Sequence, residues 1–297
     1  MYCLKPNSSL AWKHRRTALV PKHASDQHAQ RGFSLIELMV GLTIGLLVVL
    51  AAIGSLVFTQ ATSAVVDDSS RLQQKADAVF RNIGYHIAQA GSFELIGVPA
   101  AASSSPELPR VVFSSLYTGF NTSPTGSVYN IYGLQGTSNA TDSVGVSYEK
   151  APDPAAPTDT TKTRSHDCLG NKPAGANANV DSKFYVNTTT KDLMCLGVGN
   201  TTAQSIADGI EDFQVWYGVR TTNDPSTAQY RYYDAGTVPD WTRIQSVRIC
   251  LHTVGDNRGN PQSGLSFVGC HSDTITPTDG LLHRVFWRTF SLRNALL

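Results

Sequence analysis

Two apolar rhythms follow one another in the first third of the chain. From Phe33 to Phe58 the sequence reads FSLIELMVGLTIGLLVVLAAIGSLVF, and Glu37 is its single charge. Leu38 to Phe58 is 21 residues, about 31 Å as a helix, which matches the hydrocarbon core of a bilayer. Helix is also the form that hides backbone polar groups from lipid. Residues 59–90 lack proline and change period. Val65, Leu72, Ala76, Val79, Phe80, Ile83 and Ile87 recur at three- and four-residue steps. Asp67, Asp68, Arg71, Lys75, Asp77 and Arg81 fall mostly on the other side, and Gly91 is a helix stop. The pattern predicts one helix over 33–90, membrane-spanning in 33–58 and amphipathic in 59–90.

After Gly91 short runs separated by Pro, Gly, Ser, Thr and Asn read as strands. They are Val111–Phe113, Val128–Tyr132, Val144–Tyr148, Phe184–Val186, Leu193–Leu196, Phe213–Val219, Ile244–Thr253 and Arg284–Leu292. Phe213, Val215 and Tyr217 alternate with polar neighbours, as do Val247, Ile249 and Leu251. Such alternation gives one buried face and one wet face, the mark of antiparallel sheet. Lys150–Lys162 reads as a loop. The expectation is an α+β chain: a long N-terminal helix packed on an antiparallel, β-rich domain over 91–297.

Charge adds orientation. The chain of 297 residues has 24 Lys and Arg against 23 Asp and Glu. Residues 1–32 hold six bases and one acid, which leaves 18 bases and 22 acids, about −4, for residues 33–297. Bases before the apolar run and Asp67 and Asp68 after it keep 1–32 cytoplasmic and export the rest. A mildly acidic body argues against direct nucleic-acid binding. Four of the five cysteines, Cys168, Cys195, Cys250 and Cys270, lie in that exported body. An even number there suggests two disulfides; three pairings are open, of which Cys168–Cys195 and Cys250–Cys270 are the most local.

Arg31-Gly32-Phe33-Ser34-Leu35-Ile36-Glu37 resembles the cleavage motif of prepilins, shared by type IV pilins and type II secretion pseudopilins. The resemblance implies an inner-membrane prepilin peptidase that cuts between Gly32 and Phe33 and then N-methylates Phe33. It makes 1–32 a leader, longer than the family's usual one. It also gives Glu37 a task, pairing with the terminal amine of a neighbouring subunit, while its own Phe33 amine lies within one helical turn as the other partner in reach. A carboxylate in a bilayer costs several kcal/mol if left alone, so a partner is expected on physical grounds as well. Gly41 and Gly45 form a G-x-x-x-G that lets another helix approach, and Gly54 sits where major pilins often loosen. Ala207-Asp208-Gly209-Ile210-Glu211-Asp212-Phe213-Gln214-Val215 and the ending from Phe286 through Leu292-Arg293-Asn294 resemble large minor pilins of the PilW type.

That resemblance implies a structural subunit at or near a fibre tip, in company with other minor pilins, the major pilin and a PilY-type adhesin. Motility, adhesion or DNA uptake would follow. Two other readings stay open, a J-type pseudopilin of type II secretion and a signal-anchored periplasmic binding protein or enzyme. No catalytic constellation, metal-ligand spacing or cofactor motif is expected. Gly264-Leu265-Ser266-Phe267-Val268-Gly269 misses the nucleophile elbow by one residue, and Asp256-Asn257-Arg258-Gly259-Asn260 puts an arginine where a cation wants a ligand.

Overall fold

The structure is a computed structural model that describes residues 32–92, 130–151, 153–156, 159, 162–173, 179–222, 229–258 and 260–293. The predicted Val111–Phe113 strand lies outside them. The chain divides into two units, up to Ser55 and from Leu56 onward. One helix, α1, runs Leu35–Gln89. In the first unit every described residue is exposed, and the exposed run continues to Gln60.

Within the second unit α1 buries Asp68, Leu72, Ala76, Val79, Phe80, Ile83, His86 and Ile87. These positions recur at three- and four-residue steps, the period of one helical face. Covering each large apolar side chain contributes about 1.5–3 kcal/mol. The helix ends at Gly91, where φ is +70°, a conformation that costs glycine little and other residues more. The Ser92 N–H closes the last turn on the Gln89 carbonyl at 2.8 Å, and the Gly91 N–H turns outward to the Ser147 carbonyl at 3.0 Å.

Eleven strands among the described residues build the rest. β1 (Ile131–Leu134), β2 (Ser143–Glu149), β3 (Asn179–Asn187), β4 (Asp192–Gly197) and β5 (Gln204–Ala207) form one antiparallel sheet in that order. β6 (Ile210–Arg220), β7 (Tyr230–Asp234), β8 (Ile244–Val254) and β11 (His283–Ser291) form a second, ordered β11-β8-β6-β7 and antiparallel throughout. β9 (Phe267–Val268) and β10 (Thr274–Ile275) make a small hairpin. The α+β class and the antiparallel pairing agree with the expectation.

One buried cluster joins the parts. It takes Val79, Phe80, Ile83 and Ile87 from α1, Val144, Val146 and Phe184 from the first sheet, and Phe213, Val215, Val247 and Ile249 from the second. Gly84 is required by this approach, because a Cβ there would overlap the Phe290 ring of β11. The β1–β2 connection docks on β6. The Asp142 N–H donates to the Phe213 carbonyl at 2.8 Å, and the Val215 N–H donates to Asp142 Oδ2 at 2.8 Å.

Four strands, β5, β7, β9 and β10, are absent from the expected set, and several others depart from their expected bounds, β3 the most. β3 begins at Asn179, five residues before the predicted Phe184, because its first half alternates polar with buried residues too weakly to be seen. β5, β7, β9 and β10 carry few buried side chains, so no apolar alternation announced them.

Candidate functional site

The N-terminal site is built by a helix start. Gly32, Phe33 and Ser34 are not helical, α1 opens at Leu35, and the Leu38 N–H closes the first turn on the Ser34 carbonyl at 3.1 Å. Ser34 therefore stands at the N-cap position, and Glu37 lies within the first turn. The open N–H groups and dipole of a helix N-terminus favour a carboxylate there. Gly32 and Phe33 form an exposed extension ahead of the helix, with Phe33 84% exposed. The Cβ positions of Gly32, Gly41, Gly45 and Gly54 all face open space. By length and composition α1 can cross a membrane, and its apolar part is wholly uncovered.

At the other end of the described chain the cysteines form two pairs. Cys168 is bonded to Cys195 and Cys250 to Cys270, with Cα separations of 6.2 and 5.7 Å. The first ties the 162–173 segment to β4. The second ties the turn after β9 to the outward face of β8.

Sequence reading passed over several polar groups that the fold buries. Asp68 is one, and it corrects the assignment of that residue to the polar face. It is 2% exposed, accepts from the Asn260 amide at 2.7 Å and is also hydrogen-bonded by the Asn257 amide. Its phase on the Leu72–Ala76–Ile83–Ile87 stripe was the signal that could have placed it. Asn257 and Asn260 belong to the loop weighed above as a poor cation site, and their chemistry here is to hold α1.

His86 is a second such group. Tyr148 Oη donates to the His166 carbonyl at 2.9 Å, so it accepts from His86 Nδ1–H at 3.1 Å. Burial, with the nearby His166, pushes the His86 pKa down to about 4. His252 Nε2 lies 2.9 Å from His283 Nδ1, whose other nitrogen meets Asp279 at 3.0 Å. Burial, aided by His283, takes His252 down to about 4 as well. Asp142, with one carboxylate oxygen on the Gly136 N–H and the other on the Val215 N–H, is raised to about 6, chiefly by burial. Lys75 hydrogen-bonds Asp208 at 2.8 Å and holds its carboxyl below the usual range. Among the described residues no group of three or more His, Cys, Asp or Glu could hold a metal ion.

Two family models match the chain. Residues 182–294 match the family described as "Type IV Pilus-assembly protein W", and residues 27–53 match the "Prokaryotic N-terminal methylation motif". The first match runs from within β3 through β11, and the second spans Gly32, Phe33 and the start of α1. No curated protein matches the chain. A solved type IV-like pilin from Thermus thermophilus aligns at 14% identity over 56% of this chain and 84% of its own, with a TM-score of 0.32. At that score the superposition adds nothing to the fold described above.

Proposed function

We propose, from the premise that this chain is type IV pilin-like and similar to the PilW-type minor pilins, that it is a precursor matured into a filament subunit. Prepilin peptidase cuts between Gly32 and Phe33; of 297 residues, loss of 32 leaves 265. Phe33 is then N-methylated. Residues 33–58 hold the subunit in the inner membrane, 59–90 carry the amphipathic half of the helix, and 91–297 form the periplasmic domain. The positive charge of 1–32 and the acidic body support that orientation.

The observation that carries the reading is the placement of Glu37. It lies on the first turn of an uncovered apolar helix, four residues after the phenylalanine that cleavage would turn into a cation. In lipid each of these charges requires an opposite one. A terminal amine supplied by the neighbouring subunit meets that need during assembly, while Gly41, Gly45 and Gly54 leave room for helices to approach or loosen. The matured subunit joins other minor pilins and the major pilin at or near the tip of the fibre, where a PilY-type adhesin is a further partner. It thereby supports motility, adhesion or DNA uptake. A type II secretion pseudopilin has no observation of its own in favour, since the carboxy-terminal match is to a pilus-assembly family.

Mass spectrometry of the protein purified from its native membrane tests the reading. The expected N-terminus is methylated Phe33. A chain that keeps residues upstream of Phe33 overturns it and leaves a tethered exported protein.

A further inference from the structure

Strand alternation puts Gln214, Trp216 and Gly218 of β6 on the outer face of the second sheet, opposite Phe213, Val215 and Tyr217. Register sets Asp234, Tyr232 and Tyr230 of β7 along one side of them, Arg248 and Cys250 of β8 along the other, and Trp287 of β11 beyond Cys250. A cavity of about 280 Å³ opens on this face. The β1–β2 connection walls it with Gln135 and Asp142, β6 with Gln214, and the end of β7 with Asp234. We propose that this cavity receives the lysine side chain of a partner polypeptide docked on the outer face of the sheet. The proposal does not rest on the filament reading.

The cavity gathers acceptors without a cation. Its lining holds Asp142 and Asp234 and neither Lys nor Arg. Among the described residues no Lys or Arg pairs with either carboxylate, nor with Asp212, which Gln214 links to the site. Asp142 is 3% exposed, and its two oxygens each accept one backbone N–H at 2.8 Å, from Gly136 and from Val215. Each oxygen keeps a second lone pair. Burial holds this carboxyl at about 6, which a cation alongside would lower. Gln214 is an independent sign. It is 4% exposed, and its amide nitrogen donates to the Ala140 carbonyl at 3.0 Å and to Asp212 Oδ1 at 2.8 Å. Both partners are acceptors, so the amide cannot be turned over. Its carbonyl oxygen is left for the cavity, with no donor among the described residues.

A primary ammonium answers this lining with three donors and a full charge. The N–H groups on Asp142 come from two different segments. Its oxygens therefore do not offer the free, coplanar pair that a guanidinium fork takes. A neutral ligand leaves the carboxylates without an opposite charge, and an anion is repelled. Trp216 and His271 serve only as wall; His271 Nε2 is buried, 3.4 Å from Asp212 Oδ2. A free amine thus gains little beyond its head group. The remaining affinity comes from outside the cavity, and the same face supplies it. Trp287 and Tyr232 are each 41% exposed and Tyr230 59%. Uncovered Trp and Tyr around a charged pocket are surface that a protein partner covers. The exposed cation of this face, Arg248, is stacked on Trp287 at 4.6 Å and does not line the cavity.

The test has two arms. In the first, the full-length protein in maltoside detergent is titrated with Nα-acetyl-lysine methylamide by saturation-transfer NMR. The Nε-acetylated form, the arginine analogue and calcium chloride are run beside it. The lysine analogue should saturate with a dissociation constant on the order of 10 mM. Nε-acetylation should weaken it at least about tenfold and the arginine analogue should bind about threefold less well. Asp142→Asn should weaken the lysine analogue about tenfold and Asp234→Asn about threefold. If Asp142→Asn fails to fold by thermal melt, Asp234→Asn and Asp234→Lys decide. In the second arm, native membranes are treated with a carbodiimide, which joins a carboxylate to a touching amine as an amide and carries off the oxygen as a urea. The expected product links Asp234 to a lysine of another polypeptide, a second copy included. Trp287→Ala should lower its yield at least about threefold and still bind the lysine analogue as the unaltered protein does. The lysine assignment is overturned if the analogue does not saturate, if its Nε-acetylated form or the arginine analogue binds as well, or if calcium alone binds. The partner is overturned if Asp234 forms no such link or links only within its own chain.

Discussion

The two stretches of α1 are made of the same secondary structure for two different surroundings. From Leu35 to Gln60 every side chain is exposed, large apolar ones included: Leu46 is 62% exposed and Leu47 66%. From Asp68 to Ile87 a single stripe is covered, and Ile83 and Ile87 are wholly buried. The second stretch finds its apolar partners inside the chain. The first does not, and an uncovered apolar surface of that extent requires lipid or other helices to cover it. Being helical therefore says little about what a segment does; which faces are covered says much more.

The largest expected effect acts at the head of the uncovered stretch. Gly32→Leu should abolish processing and leave a precursor in the inner membrane, seen as a heavier band and an unblocked leader by mass spectrometry. Normal maturation of that variant would count against the junction. Glu37→Val should leave cleavage largely intact and strongly reduce incorporation into fibres, measured in sheared pili. Wild-type piliation would remove the role given to that carboxylate.

A paired substitution measures the contrast within α1. Ile83→Ala should lower the stability of the globular unit by about 2–5 kcal/mol, the usual cost of a buried cavity. Leu46→Ala should change it by less than about 0.5 kcal/mol, because Leu46 belongs to the other unit and is 62% exposed. Thermal melts of the detergent-solubilised protein report both. Equal losses would mean that the two stretches are not distinct.

Acid should loosen the covered stretch. His86 has a folded pKa of about 4 against 6.5 unfolded. The unfolded chain therefore binds the proton first, and stability present above pH 6.5 is lost as pH falls toward 4, by up to a few kcal/mol. His252 adds in the same direction. His86→Gln should flatten part of the decline in melting temperature between pH 7 and pH 4, and an unchanged slope would refute this.

Local periodicity made much of this legible. The apolar run and the stripe announced α1, and Gly91 its end, since both signals repeat within a few residues and need no knowledge of distant chain. Val144–Tyr148, Phe213–Val219 and Ile244–Thr253 were legible for the same reason. β7 was not, because Tyr230 and Tyr232 alternate with residues that are exposed or only half covered. Asp68 shares the phase of the buried stripe, but what it meets there was not legible, because its partners, Asn257 and Asn260, lie almost two hundred positions away.

The sequence by itself determined the long apolar run with Glu37 at its head, the excess of bases ahead of it, the prepilin-like motif around Gly32 and Phe33, and the α+β class. Tertiary structure alone decided which polar groups are buried and what they meet. It set Asp142 against β6, His86 against Tyr148, and Trp216 beside a polar cavity. The physical reason is range: helix and strand periods follow from neighbours a few residues apart, whereas desolvation and hydrogen bonding of a buried group depend on residues that only folding brings near.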